Sequence, residues 1–509
     1  MKTLSGLDAS FLYLECAEMP MHVGSLHLYE LPKDFAGSFH QAVQRHVAAR
    51  LHLVPLFHQQ LASMPLNVGH PCWVHTDDVD LDFHVRRAAT KKLSRHEVEA
   101  TCAQLHGQLM DRSRPLWEFH IFDHVASPRG KRYGAFYSKI HHAALDGKAG
   151  TVLANALLDL SATPREVPPP AATSTRRQRK ELSAAALMGR VLTGSLSQYA
   201  KLARSLPQAL GAAGGTLLQR LQHPSEESGS PALLAPLMRF NVAVTPLRSF
   251  ATASLPFAPC RAIAKAQGIS FNDLLLWLCS TALRQYLLQH DGVPKKSLVA
   301  AMPVSLREDK NQELNTQASM TLVQLGSQCA DPKKRLQAIL SSSAKVKDAM
   351  VKLKSILPTD YPSLLAPWLV GGISKALFKT YSATGLSARL PMPSNLVISN
   401  VPGPQVPLYL AGARMLTFHP LSIVMHGVAL NITVQTYAGS VDFGLIADAQ
   451  AVPTAHLQSM ADALVQALSQ AQELFMGAAP KPDSAPSAQS GRPKRGRSSA
   501  VTGGTRSQN

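Results

Sequence analysis

Hydrophobic and polar positions recur along this chain with two different periods, and each change of period marks an element. The segment TFHPLSIVMHGVALNITVQTYAGSVDFGLIAD has β-branched and apolar runs punctuated by Gly and Asn, the pattern of consecutive buried strands. It has no charged residue between Met415 and Val441, yet His419, Pro420, His426, Asn431 and Gln435 interrupt it, so it is not a membrane span. YGAFYSKIHH, residues 133 to 142, also reads as a strand. Elsewhere the period is helical. The stretch 270–287, SFNDLLLWLCSTALRQYL, predicts a long buried helix, Asp331-Pro332 opens another, and Met460, Leu464, Leu468, Ala471 and Phe475 recur at helical spacing. Ser94 followed by Glu97 forms a capping box, since each side chain can satisfy an orphan backbone N–H, and predicts a helix running towards Met110.

Breaks in these patterns divide the chain. Around 161–181 the sequence becomes SATPREVPPPAATSTRRQRKE, where a proline triplet stops any helix and a basic run follows. Beyond it Leu187, Val191, Leu192, Leu196, Tyr199, Leu202 and Leu206 share one half of a helical wheel while Arg190, Lys201 and Arg204 take the other. Such a helix either packs one face on the protein or lies on an anionic bilayer. A loop at 223–232 separates it from a long second half. The expected organisation is a lobe over 1–170, a linker and amphipathic helical crossover over 171–235, a second lobe over 236–477 and a disordered basic tail over 478–509. A chain of 509 residues suits two or three folded units.

Composition narrows the class only a little. The formal net charge is +18, compatible with an anionic substrate, membrane or nucleic acid. Aromatics are 6% of the chain and are not interleaved with the basic residues, which disfavours nucleic acid. The six cysteines show no C-x-x-C pair, and MKTLSGLDASF lacks the apolar core of a signal peptide, so reduced thiols and a cytoplasmic location are expected.

Candidate chemistry concentrates in KIHHAALDG, residues 139–147. A metal site is disfavoured, because adjacent histidines on a strand point to opposite faces and no further Cys/His ligand set accompanies them. Two readings of the segment stand. In one, the histidines are hydrogen-bonded near a turn, Asp146 caps the next helix and Gly147 supplies an unusual backbone angle. In the other, one imidazole takes a proton in a cleft while Asp146 and Gly147 fix the loop, a task suited to an ordinary pKa of about 6.5.

Six blocks occur together: LSGLDASFLYLE (4–15) with PMHVGSL (20–26), RPLWE (114–118), HHAALDG (141–147), FND (271–273), MPVSLR (302–307) and NLVISNVPGP (395–404). In order and spacing they resemble the bacterial wax ester synthase/acyl-CoA:diacylglycerol acyltransferase family, over nearly all of residues 4 to 475. The resemblance implies an α/β fold with two chloramphenicol acetyltransferase-like lobes, a central tunnel and the histidine motif at its midpoint. It implies His142 as general base, with His141 in support, Asp146 and Gly147 holding the turn, and Asn272 either donating to an oxyanion or ordering the motif. Asn272 and Asp273 are equally readable as a helix start. Arg307 is a candidate partner for Asp146, whereas Pro115 and Trp117 suit packing. The substrates implied are fatty acyl-CoA and a long-chain alcohol or diacylglycerol, with no metal and no permanently bound cofactor. A thioester is activated enough for direct transfer without a covalent acyl-enzyme. Peripheral association with the inner membrane or lipid inclusions is expected as well.

Two other readings belong beside this one. A condensation-type enzyme would take its acyl group from a carrier protein, but no carrier or adenylation region is attached. A non-catalytic lipid-surface binder would not need His142, Asp146, Gly147 and Asn272 together.

Overall fold

A computed structural model describes residues 2–62, 70–145, 149–169, 235–305, 318–354 and 392–477. Asp146, Gly147, Arg307, the 171–234 crossover and the 478–509 tail lie outside them.

Two mixed six-stranded sheets organise the described residues. The first contains β2 (His22–Leu31), β5 (Val85–Ala89), β6 (Trp117–Val125) and β7 (Arg132–His141), together with β12 (Tyr409–Leu410) and β13 (Ala413–Leu421) from the far end of the chain. Its order is β12-β13-β2-β7-β6-β5. The second contains β8 (Arg248–Pro256), β9 (Val299–Ser305), β10 (Ala318–Gln324), β11 (Leu396–Val401), β14 (Leu430–Tyr437) and β15 (Ser440–Asp448), in the order β10-β9-β11-β14-β15-β8. A small sheet joins β1 (Lys2–Thr3), β3 (Gln59–Ala62) and β4 (Cys72–His75). On the first-sheet side lie helices α1 (Gly6–Leu14), α2 (Phe39–Ala48), α3 (Leu81–His84) and α5 (Ala149–Leu157), while α4 (Arg95–His106) packs against both the first sheet and β8 of the second.

The β-branched run of β14 is buried at every position, as a strand covered on both faces must be. Tyr437 and Ser440 pair across a two-residue Ala438-Gly439 turn in which both residues have positive φ, the backbone that a tight hairpin needs. Helices Phe257–Ala266, Phe271–His290 and Thr454–Met476 cover this sheet, and Leu274, Trp277, Leu278, Leu457 and Leu464 belong to one apolar core. Ser270 and Asp331 start their helices by side-chain capping.

A boundary at residue 236 therefore divides the chain but not the sheets, because β13 leaves the second half to pair antiparallel with β2. It is fastened to β15 on the way. Phe418 N donates to Asp442 at 2.7 Å, His419 Nδ1 lies 3.0 Å from the Phe443 carbonyl, and the Pro420 carbonyl occupies the space a Cβ on Gly444 would need. From α4, Arg95 adds donation to Thr252 on β8 at 2.7 Å.

The capping box at Ser94 is complete, but α4 stops at His106 rather than continuing to Met110. Gly107 passes so close to the Pro246 carbonyl that a side chain would collide with it, and the chain turns away there.

Candidate active site

Strand β7 ends at His141, and His142–Ala144 form a single 3-10 turn. This corrects the expectation that both histidines ride one strand: His142 belongs to the turn. The turn is held by its own first ring, because Ala143 N donates to His141 Nδ1 at 3.1 Å. Backbone N–H groups of His141 and His142 donate to the carbonyls of Leu116 (3.1 Å) and Met21 (2.9 Å), so two neighbouring segments set the turn's position.

With Nδ1 accepting, the neutral His141 ring carries its proton on Nε2. That atom faces Glu15 Oε1 at 3.2 Å, off the ideal hydrogen-bond direction. Glu15 is the buried centre of the cluster. Its Oε1 accepts from Met21 N at 2.9 Å, and its Oε2 accepts from Arg112 Nε (3.0 Å) and Nη2 (2.7 Å). Burial raises the Glu15 pKa, but the His141 contact, the Met21 amide and the Arg112 guanidinium outweigh it and bring the value down to about 2. A fixed negative charge thus stands behind His141 at neutral pH.

The His142 imidazole stacks on Phe11 with centroids 3.9 Å apart and planes 14° from parallel. Among the described residues its Nδ1 has no hydrogen-bond partner. Desolvation, with a smaller contribution from His141, lowers its pKa to about 4, so the ring is neutral at physiological pH. An unprotonated imidazole held by stacking can accept a proton from a hydroxyl.

Asn272 is the second residue of the Phe271–His290 helix and is half-buried. Its neighbour Asp273 caps that helix with Ser270: Asp273 N donates to Ser270 Oγ at 3.1 Å and Ser270 Oγ donates to Asp273 Oδ2 at 2.6 Å. Among the described residues no hydrogen bond joins Asn272 to either histidine of the turn. Trp117 is fully buried between Phe57, Phe119 and a stacked His84, and its Nε1 donates to the Phe57 carbonyl. Pro115 is buried as well. Both pack.

The sequence reading had given no role to Glu15, Arg112 or Phe11. Phe11 and Glu15 stand four apart at the end of α1, the spacing that puts side chains on one helix face, and Glu15 closes the apolar run FLYL. A carboxylate after such a run is the signal that was available.

Two α/β lobes are thus tied by β13, and the histidine turn stands at the end of β7. The family model for the wax ester synthase/diacylglycerol acyltransferase catalytic domain matches residues 4–275, and that for the family's C-terminal domain matches 315–472; the chain belongs to this family. It is 32% identical to O-acyltransferase WSD of Acinetobacter baylyi, over 89% of this chain and 93% of that protein. It is 33% identical to a putative diacylglycerol O-acyltransferase of Mycobacterium bovis, over 91% and 98%. The solved wax ester synthase/diacylglycerol acyltransferase of Marinobacter aquaeolei VT8 superposes with a TM-score of 0.62 at 27% identity, covering 92% of this chain and 99% of that one. No helix among the described residues is long and apolar enough to cross a membrane.

Proposed function

We propose that this enzyme transfers a fatty acyl group from acyl-CoA to the hydroxyl of a long-chain alcohol, a diacylglycerol or both. The observation that carries the reading is the neutral His142 ring, stacked on Phe11 with Nδ1 unpartnered among the described residues. His142 takes the proton of the acceptor hydroxyl as its oxygen attacks the thioester carbonyl. The tetrahedral intermediate collapses, the carbon–sulfur bond breaks, and the coenzyme A thiolate recovers the proton from the imidazolium. Charges and atoms balance with no covalent acyl-enzyme.

In this mechanism Glu15 and Arg112 act through His141, fixing its ring and with it the turn that carries His142. Asp146 and Gly147 support the same turn. Asn272 donates to the oxyanion or orders the motif. Relatives named diacylglycerol O-acyltransferase support the acceptor class. Basic residues steer the anionic coenzyme A, and the amphipathic segment within 171–235 brings the enzyme to lipid surfaces at the inner membrane or lipid inclusions.

The test incubates purified full-length protein with palmitoyl-CoA and either hexadecanol or diolein, following free thiol and ester together. Ester with at least one acceptor is expected, and none with either overturns the assignment. With acyl-CoA alone the intact mass should stay unchanged; a stable acyl adduct would contradict direct transfer.

A further inference from the structure

On the face of the first sheet away from His141 lies a cavity of about 190 Å³, covered by α5 and lined also by Phe418 and Leu410. Val23, Ser25 and His27 of β2 and Phe136, Ser138 and Ile140 of β7 line it, whereas His22, Lys139 and His141 alternate to the opposite face. Ile140 and Leu145, which flank the His142 turn, form the wall nearest the catalytic motif. Since a cavity of about 150 Å³ holds benzene, this one has room for roughly seven or eight carbons of a chain.

Its floor is not apolar. Ser25 and Ser138 sit directly opposite each other in the β2–β7 register, their hydroxyl oxygens 2.8 Å apart. Ser25 Oγ is 2.6 Å from His27 Nε2, and Ser25 N donates to Ser138 Oγ at 3.1 Å. All three residues are more than nine-tenths buried. A hydroxyl has one donor and two acceptor positions, so these contacts leave one position free on each serine. Neither hydroxyl is orphaned, and the remaining position on each is one that a polar ligand atom can take and a hydrocarbon cannot.

We infer that this cavity selects an aliphatic chain bearing an oxygen function, which hydrogen-bonds to Ser25 and Ser138. The inference rests on the acyltransferase reading. Ser138 lies three residues before the end of β7 at His141, about 10 Å along the strand, and the His142 turn begins beyond it. An extended alkyl chain advances at a similar rate per bond, which places the oxygen roughly ten to twelve carbons from the reacting carbon. The chain belongs either to the acyl donor or to the alcohol acceptor.

Wild-type enzyme, Ser138→Ala and Ser25→Ala are compared in two arms. One pairs 12-hydroxydodecanoyl-CoA against dodecanoyl-CoA with hexadecanol. The other pairs 1,12-dodecanediol against dodecanol with palmitoyl-CoA, counted per hydroxyl. The kcat/KM ratio of oxygenated to plain substrate should fall about fivefold in either variant, in one arm only, as expected for one neutral hydrogen bond. The responding arm names the chain that occupies the cavity. A ratio unchanged by both variants in both arms overturns the inference and leaves the serines as links between strands. Turnover of plain substrates by the wild type tests the underlying reaction separately, so the two ideas fail independently.

Discussion

The two sheets differ most in where they bury titratable groups. In the first, β2, β6 and β7 carry His22, His27, Glu118, His120, Lys139 and His141, all almost without solvent access. In the second, β11 and β14 carry no buried histidine, carboxylate, lysine or arginine; Asp442 and Asp448 lie on β15 and Arg248 on β8. Buried ionisable groups are costly unless paired, and the first sheet pairs them: Lys139 donates to the Gln108 carbonyl at 2.7 Å, and Glu118 lies 3.0 Å from His120. Chemistry is therefore concentrated on one sheet, while the other, with the Phe271–His290 and Thr454–Met476 helices, supplies a large apolar core and lends β13 to its neighbour.

The largest effect should come from the turn on the polar sheet. His142→Ala is expected to lower kcat by about a thousandfold, within the range for loss of a general base, while circular dichroism and the melting transition stay close to wild type. Retention of wild-type turnover would remove His142 from the base role. Glu15→Gln comes next. It keeps the shape but removes the charge behind His141, and hydrogen bonds to charged groups are worth about 1.5–3 kcal/mol. A loss in kcat of roughly ten- to hundredfold, with KM for acyl-CoA little changed, marks positioning; a change confined to KM would point to a substrate contact instead.

Legibility followed the same divide. The second sheet and its helices were readable because their signals are local: unbroken β-branched runs, helical spacing through Met460 and Leu468, and caps at Ser270 and Asp331. The motif around His142 stood out as a candidate because two histidines and an Asp-Gly pair occur together. What escaped the sequence depends on contacts made far along the chain. Glu15 meets His141 across 126 positions (141 minus 15), and Arg112 meets Glu15 across 97. The pairing of β13 with β2 joins residues hundreds of positions apart, and no periodicity within either strand specifies its partner.

Acid separates the two sheets in a different way. His27 and His106 have pKa values lowered to about 3 and His142 to about 4, chiefly by burial, and burial also depresses His22 and His419. As pH falls below 6.5 the unfolded chain takes up protons that these folded sites refuse, so their stability contribution is lost from 6.5 down through about 3. Asp442 has the opposite sign. Burial raises its pKa to about 6, so its contribution is fully present below 3.8 and is lost as pH rises through 6. Hydrogen exchange at pH 7, 5 and 4 should therefore show β2 and β7 losing protection before β14 and β15. Simultaneous loss would mean that β13 makes the sheets one cooperative unit.

The smallest expected effect concerns the helix that spans the two sheets. Ser94 Oγ accepts from Glu97 N and Glu97 returns a bond to Ser94 N at 2.7 Å, an exposed box at the start of α4. Removing such a cap by Ser94→Ala costs about 1 kcal/mol. From this helix Arg95 reaches Thr252 and His419, one on each sheet, so fraying of the first turn would loosen that tie as well as the helix. A denaturant midpoint shift with unchanged slope would show a simple loss of stability. A second transition in Ser94→Ala would instead identify α4 as the hinge through which the polar sheet and the apolar sheet unfold together.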